Sequence, residues 1–423
     1  MTLQLVAIGL FIAAFAVASV RNVHLGVVMF AAACGVGMWL AGLPLKDVVA
    51  GFPVNIMVLL AGVTYFFGVA QENDTVDRLI EAILGRVGHI AAALPLVFFS
   101  LTALLSAMGS PIGSLVTCAI AMPVARRHRI DPVLMGLAIG TGQSAGGFAP
   151  TSLFGIVTYG TAHQANIPLN PLTLFGMAVA INLVLLAAAY LMFGGRALLR
   201  RRVEATASDL MQRTGAARGP WEWRQLATVG CMIALVITVA AASLAGATAD
   251  IGVLCFAFGA VLALLDPRSG TAAVARIDWS TVLLVGGVIT FVTVLQGMGA
   301  VDLLGNAATH VAAPIVAAYV LCAIGGLVSA FASTTGILAA MVPLALPLVA
   351  KGDVAGWAMI SALGICSSIV DVSPYSTTGA TVLATAHEDD RPRLRSRLTR
   401  WGLAMVIVGP AILGTILVLP TAR

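Results

Sequence analysis

Long apolar runs dominate this chain, and the polar breaks between them are short. They fall near residues 3–20, 25–42, 54–70, 90–105, 106–125, 133–160, 171–194, 226–246, 251–266, 280–296, 312–328, 329–350, 355–386 and 401–419. Several are about 17–21 residues long, the length a helix needs to cross a bilayer core of roughly 30 Å. The pattern predicts an all-α polytopic membrane protein. The first run, MTLQLVAIGLFIAAFAVASVRN, has no basic leading region and no small-residue cleavage site. It is expected to be a retained helix, not a signal peptide.

The run pattern repeats. FPVNIMVLLAGVTYFFGVAQENDTVDRL from Phe52 lies over IDWSTVLLVGGVITFVTVLQGMGAVDLL from Ile277, with Gly62 on Gly287 and Gln71 on Gln296. SAMGSPIG (106–113) meets SAFASTTG (329–336), and SAGGFAPTSLFGIVTYGTAH (144–163) meets SIVDVSPYSTTGATVLATAH (368–387). The offset stays between 221 and 226 throughout. Such a duplication is typical of secondary transporters. Residues 1–194 form the first repeat, 195–224 a linker and 225–423 the second repeat. Each repeat is expected to hold a re-entrant hairpin, near 106–125 and 329–350, and a discontinuous helix, near 133–160 and 355–386.

Charge then orients the copies. The linker carries seven arginines against Glu204, Asp209 and Glu222. Arg126, Arg127 and Arg129 follow the first hairpin, whereas its counterpart is followed only by Lys351 and Asp353. After the next segment the bias reverses, with Arg391, Arg393, Arg395, Arg397 and Arg400 in the second copy. By the positive-inside rule, equivalent loops lie on opposite sides, and 126–130, 195–224 and 387–400 are cytoplasmic. The repeats are therefore expected to be inverted. Six long segments plus a hairpin per copy would give an even number of crossings, which does not invert the second copy. Segment 226–246 is expected not to cross fully, which leaves Arg268 and Arg276 outside.

Composition agrees with the pattern. Of 423 residues, 60% are hydrophobic and 10% charged, and the mean hydropathy is +1.01, where a soluble domain carries about 25% charged residues. Low charge without a basic stripe excludes nucleic-acid binding despite the net +5. Cys34, Cys118, Cys231, Cys255, Cys322 and Cys366 sit singly in apolar runs and read as packed hydrophobes.

Candidate chemistry lies where apolar runs are broken by hydroxyls, glycines and prolines. Unwound backbone inside a membrane is tolerated only where protein buries it or water lines it. Ser110-Pro111-Ile112-Gly113 and Ser333-Thr334-Thr335-Gly336 suit hairpin tips; Ala149-Pro150-Thr151-Ser152 and Ser373-Pro374-Tyr375-Ser376 suit helix breaks. Half-helix N-termini there offer N–H groups and partial positive charge to an anion, and freed carbonyls can hold a small cation. Candidate substrate contacts are Ser110, Pro111, Gln143, Ser144, Thr151 and Ser152 in the first copy. In the second they are Ser333, Thr334, Thr335, Ser373, Ser376 and Thr377. Candidate cation or coupling residues are Ser106, Ser110, Gly142, Ser329, Ser333, Thr334 and Asp371. Ser, Thr and Gly also mediate close helix packing; their recurrence in both copies is what marks a site. Asp371, in SSIVDVSP, is the one acid inside an apolar run, and its counterpart is Gly147. An intramembrane carboxylate is a functional candidate by default. His163 and His387 match across the copies but lie at segment ends, where interfacial placement is expected. Gly142-Gln143-Ser144-Ala145-Gly146 fits a nucleophile-elbow pattern but lacks the strand–helix context that it needs, so no enzyme is expected.

At these residues the chain resembles a known family. AGFPVNIMVLLAGVTYFFGVAQENDTVDRLIEAI through DPVLMGLAIGTGQSAGGFAPTSLFGIV closely resembles the MatC-type malonate/dicarboxylate carriers of the ion-transporter superfamily, across residues 20–190 and more weakly beyond. The resemblance implies a scaffold with a moving, elevator-type transport domain, and a homodimer. In the related divalent anion/sodium symporters each hairpin tip carries Ser-Asn-Thr, which binds carboxylates and flanks sodium. Here Ser110-Pro111-Ile112 and Ser333-Thr334-Thr335 stand there, without the asparagines, while Ser106 and Ser329 are kept. The implied function is uptake of a small, malonate-like dicarboxylate with a cation across a bacterial inner membrane. Sodium or a proton is the coupling ion, sodium the only metal, and no organic cofactor is expected. The rival on the same fold is cation/proton antiport or oxyanion efflux.

Overall fold

The computed structural model describes residues 2–21, 23–79, 92–109, 113–164, 167–195, 221–244, 250–300, 314–330, 334–350 and 354–421, with 82, 198 and 303. Its first repeat contains α1 (Thr2–Arg21), α2 (Leu25–Gly35, extended by a π-turn to Leu40), α3 (Leu45–Ala50) and α4 (Val54–Glu72). Then follow α5 (Leu94–Ala107), α6 (Gly113–Arg127), α7 (Pro132–Gly147), α8 (Leu153–Gln164) and α9 (Pro171–Met192). The second repeat has α10 (Trp223–Leu244), α11 (Ile251–Leu265), α12 (Pro267–Ala273), α13 (Trp279–Gly297), α14 (Pro314–Ser329) and α15 (Thr334–Ala350). It closes with α16 (Gly356–Ile369), α17 (Thr377–Thr385) and α18 (Arg391–Leu413). The described residues contain no strand. Among the described residues, four helical runs are long and apolar enough to cross a membrane: Val54–Glu72, Pro171–Met192, Trp279–Gly297 and Glu388–Thr421. This is a multi-pass membrane protein.

Local chemistry sets several of the helix starts. Asp131, Asn170, Asp250, Asp278 and Ser376 each accept a backbone N–H of the first turn, a cap worth about 1 kcal/mol. Small residues then let helices touch. Gly62 of α4 meets the Gly252 backbone of α11, and Gly287 of α13 meets the Gly26 backbone of α2, the close approach that membrane packing favours. The ends of α4 and α13 share one device at matched positions: Asp74 and Gly299 both take left-handed φ, 59° and 68°.

The contacts fix helix directions. α4 and α11 run side by side in parallel, Leu59 by Gly252 and Tyr65 by Gly259. α2 and α13 do likewise, His24 by Ser280 and Gly37 by Val294. Yet α4 and α13, which correspond in the repeat, are antiparallel: Phe52 lies on Gly286, while Thr64 accepts from the Asp278 N–H. That is the relation expected of inverted repeats.

This resolves the crossing count differently from the sequence reading. Run 90–105 is not a separate span. α5 is the first arm of a hairpin whose second arm is α6, and the arms touch beside the tip, where Gly113 lies on Leu105. The first hairpin thus begins near residue 94 instead of 106, and α14 with α15 forms its counterpart. The sequence hides this because the arm before the tip, Leu94–Ala107, is predominantly apolar and reads as a run of its own, while the turn is entered at Gly109, at φ 70°. Segment 226–246 has no need to stop short. α10 has 22 residues, about 33 Å of helix, and lies beside α11. Its Arg224 pairs with Asp266 at 3.2 Å, and its Thr228 accepts from Asn73 at the end of α4. Arg268 and Arg276 consequently share the end of the molecule where α4 finishes, with Arg276 bound to Glu72 at 2.7 Å. Burial works to raise the Asp266 carboxyl, but hydrogen bonds from Ser269 and the Arg224 charge outweigh it and hold the group below the usual carboxylate range.

Candidate functional site

The two broken helices cross at the centre of the molecule. α7 stops at Gly147 and resumes as α8 at Leu153; α16 stops at Ile369 and resumes as α17 at Thr377. Along the crossing, Gly140 lies against Val372, Ser144 Oγ is 2.7 Å from Ser368 Oγ, and Phe148 lies against Gly364. Gly140 corresponds to Gly364, Ser144 to Ser368 and Phe148 to Val372 in the repeat alignment. The flanking contacts therefore exchange under a pseudo-two-fold rotation whose axis passes through the Ser144–Ser368 pair. Bare glycines at 140 and 364 allow the approach.

A directed hydrogen-bond chain runs across that axis. Asn182 of α9, fully buried, donates to Ser144 Oγ at 3.1 Å and to the Ala178 carbonyl at 2.9 Å. Ser368 donates to the Ile365 carbonyl at 3.0 Å, so the Ser144 hydroxyl is left to donate to Ser368. Sequence reading missed Asn182, since a single amide in a long apolar helix carries no repeat signal. This chain occupies Ser144, which thereby ties the two repeats together. It is also a mid-helix residue of α7, not a nucleophile at a strand–helix elbow.

Each hairpin docks on the break of its own repeat. Ser106 of α5 donates to the Gln143 carbonyl at 3.1 Å, and Thr151 donates to the Ala107 carbonyl. Gly142 and Gly146 lie against the Phe99 and Ala103 backbone of α5. In the second repeat Ser329 and Thr334 bridge the hairpin at 3.0 Å, and the Thr334 hydroxyl is turned toward the Asp371 carboxylate. Thr378 donates to Asp371 Oδ2 at 3.2 Å, and Ser376 donates to the Asp371 and Ser373 carbonyls. Asp371 Oδ1 is buried with no hydrogen-bond partner, as are Gln143 Oε1 and Asn182 Oδ1. An orphaned buried acceptor costs about 1–3 kcal/mol, more when charged.

Of the predicted contacts, Ser110, Pro111 and Ser333 lie outside the described residues. Ser144, Ser152, Thr334, Thr335, Ser373 and Ser376 are buried, Gln143 and Thr151 are half-buried, and Thr377 is exposed. The structure brings Ser329, Thr334 and Asp371 together, and Ser106 with Gln143. His163 lies at the end of α8, and His387 pairs with Asp389 at 3.1 Å beyond α17.

At the arginine-rich end, a cavity of about 890 Å³ opens at the C-terminal end of α17. Arg126, Arg127, Arg129 and Arg393 line it with Asp131, Asp389 and Asp390. Arg393 bonds Asp131 at 2.7 Å, which joins the start of α7 to α18. A second cavity of about 430 Å³ adjoins it and shares Arg129, Asp131 and Arg393. Burial, and then the Arg127 charge, push the His128 imidazole below its usual range.

Comparisons with known proteins agree with this geometry. No curated protein matches the chain. Among solved structures the chain is similar to the Alcanivorax borkumensis YdaH transporter, whose crystal structure is described as revealing an unusual topology. The likeness has 14% identity, covers 87% of this chain and 86% of that one, and gives a TM-score of 0.60. At that identity it is a likeness of fold, and the fold is one found in a solved transporter. Residues 1–147, from the first helix to the end of α7, match the family described as the dicarboxylate carrier protein MatC N-terminus.

Proposed function

We propose that the protein is a secondary active transporter that takes up a small dicarboxylate, malonate-like, together with a cation. The observation that carries this reading is the crossing of two oppositely directed broken helices, each capped by a hairpin. It puts half-helix N-termini, freed carbonyls and one carboxylate into a single central region. Helix N-termini suit carboxylates, and carbonyls with hydroxyls suit sodium. The match of residues 1–147 to the MatC N-terminus supports a dicarboxylate as cargo. Asp371 gives the site a titratable group beside Thr334 and Thr378, so protonation there can relieve repulsion of an incoming dianion.

In this reading the arginine-rich end is cytoplasmic, in a bacterial inner membrane, by the positive-inside rule. Helices α1, α2, α4, α10, α11 and α13 form the scaffold of a homodimer, and the hairpins and broken helices move against it as an elevator. The test is uptake of labelled malonate and succinate into proteoliposomes, with sodium and proton gradients imposed separately. Accumulation driven by one of the two gradients is expected. Equal, gradient-independent entry, or none, would contradict the reading.

A further inference from the structure

The second break contains one side chain that does not fit its surroundings. Ser373, Pro374 and Ser376 are buried, yet Tyr375 between them is 54% exposed. Beyond it, one face of α17 carries exposed Thr377, Ala380 and Ala384 with half-buried Thr381, positions three and four apart on one side of a helix. That face ends at Thr385, which lines the large arginine-rich cavity. From Thr377 to Thr385 the helix rises about 12 Å. Exposed faces elsewhere carry Leu183, Val184 and Leu191 on α9, or Leu403 and Ile407 on α18, as hydrocarbon contact requires. The α17 face has hydroxyls and methyls instead, which suit a wet route.

The pseudo-symmetric counterpart is closed. In α8, Phe154 to Thr158 and Gly160 to Ala162 are buried, with Gly160 against Ile56 of α4. One repeat thus covers its distal half-helix while the other leaves it open toward the arginine-rich end. Asp371, four residues before Tyr375, adds a buried carboxylate oxygen without a partner. Arg129, at the mouth, holds a left-handed φ of 52°, which non-glycine residues adopt at a cost, and lines both cavities.

We propose that Tyr375 contacts the transported dicarboxylate and sets its permitted chain length, and that the substrate passes along α17 between Tyr375 and the arginine-rich cavity, which on uptake is its exit. This rests on the transport reading. A phenol is suited to both roles, because its O–H donates to a carboxylate while the ring lies along the methylenes. Four arginines against Asp131, Asp389 and Asp390 leave the mouth a small positive excess, which favours a dianion there.

Uptake of labelled malonate, succinate and glutarate by proteoliposomes is compared for wild type, Tyr375→Phe and Tyr375→Ala. Tyr375→Phe should raise KM about tenfold, as expected for one lost hydrogen bond to a charged group. Tyr375→Ala should shift preference toward the longer acids by about tenfold. An unchanged ratio among the three acids in both variants, whatever the overall rate, would overturn the role of Tyr375. Thr381→Cys should react with a charged, membrane-impermeant thiol reagent, more slowly with malonate present. Reaction only with membrane-permeant reagents would place that face in lipid and overturn the route. No uptake by wild type would instead overturn the transport reading, and Tyr375's role with it.

Discussion

Asp371 and Asn182 show two fates for a polar group in an apolar segment. Both are buried with one oxygen left unpaired. Asn182 is nevertheless anchored through its amide nitrogen to Ser144 and Ala178, and its work is to fix the crossing. Asp371 is held more loosely, by Thr378 and the Thr334 hydroxyl, and the second of these belongs to the hairpin. In the proposed mechanism, this link would let a proton or cation arriving at Asp371 act on the hairpin. If the coupling ion is a proton, Asp371→Asn should abolish the pH dependence of uptake and its response to an imposed proton gradient. Wild-type pH dependence in that variant, with an absolute need for sodium, would assign coupling to sodium. Asp371 could be read from the sequence because a lone acid interrupts an apolar run. Tyr375 and Asn182 could not, since their meaning depends on which neighbours cover them.

The elements were legible in proportion to how polar their ends are. The breaks at 148–152 and 370–376 carry Pro and Ser, and the sequence places them. The arm before the first hairpin tip, Leu94–Ala107, is predominantly apolar, so the sequence pattern alone makes it a separate span and miscounts the crossings. What holds that arm in place is glycine. A Cβ on Gly146 would sit 2.0 Å from the Ala103 carbonyl oxygen, and one on Gly142 would sit 2.4 Å from that of Phe99. Gly146→Ala should therefore force α5 off α7 and lower the unfolding temperature in detergent, at a cost of about 1–3 kcal/mol. Gly176 of α9 has open space around it, so Gly176→Ala should be neutral or stabilising by about 1 kcal/mol. Equal effects of the two substitutions would refute the close α5–α7 approach.

At the scale of the whole molecule, the duplication was legible and its inversion was only inferred from arginines. The antiparallel α4 and α13 and the crossing at Ser144 and Ser368 are what an inverted pair requires. Inverted repeats that differ in which half-helix is covered would supply two related states. Exchange between those states is the physical content of a carrier, and it makes a demand that neither a pore nor an enzyme would meet. Counterflow tests this most directly. Proteoliposomes loaded with unlabelled malonate are diluted into trace labelled malonate, with no ion gradient. A transient accumulation of label above the external concentration is expected, because each outward trip returns the site for an inward one. Simple equilibration without an overshoot, in protein that retains its fold, would contradict alternating access through this site.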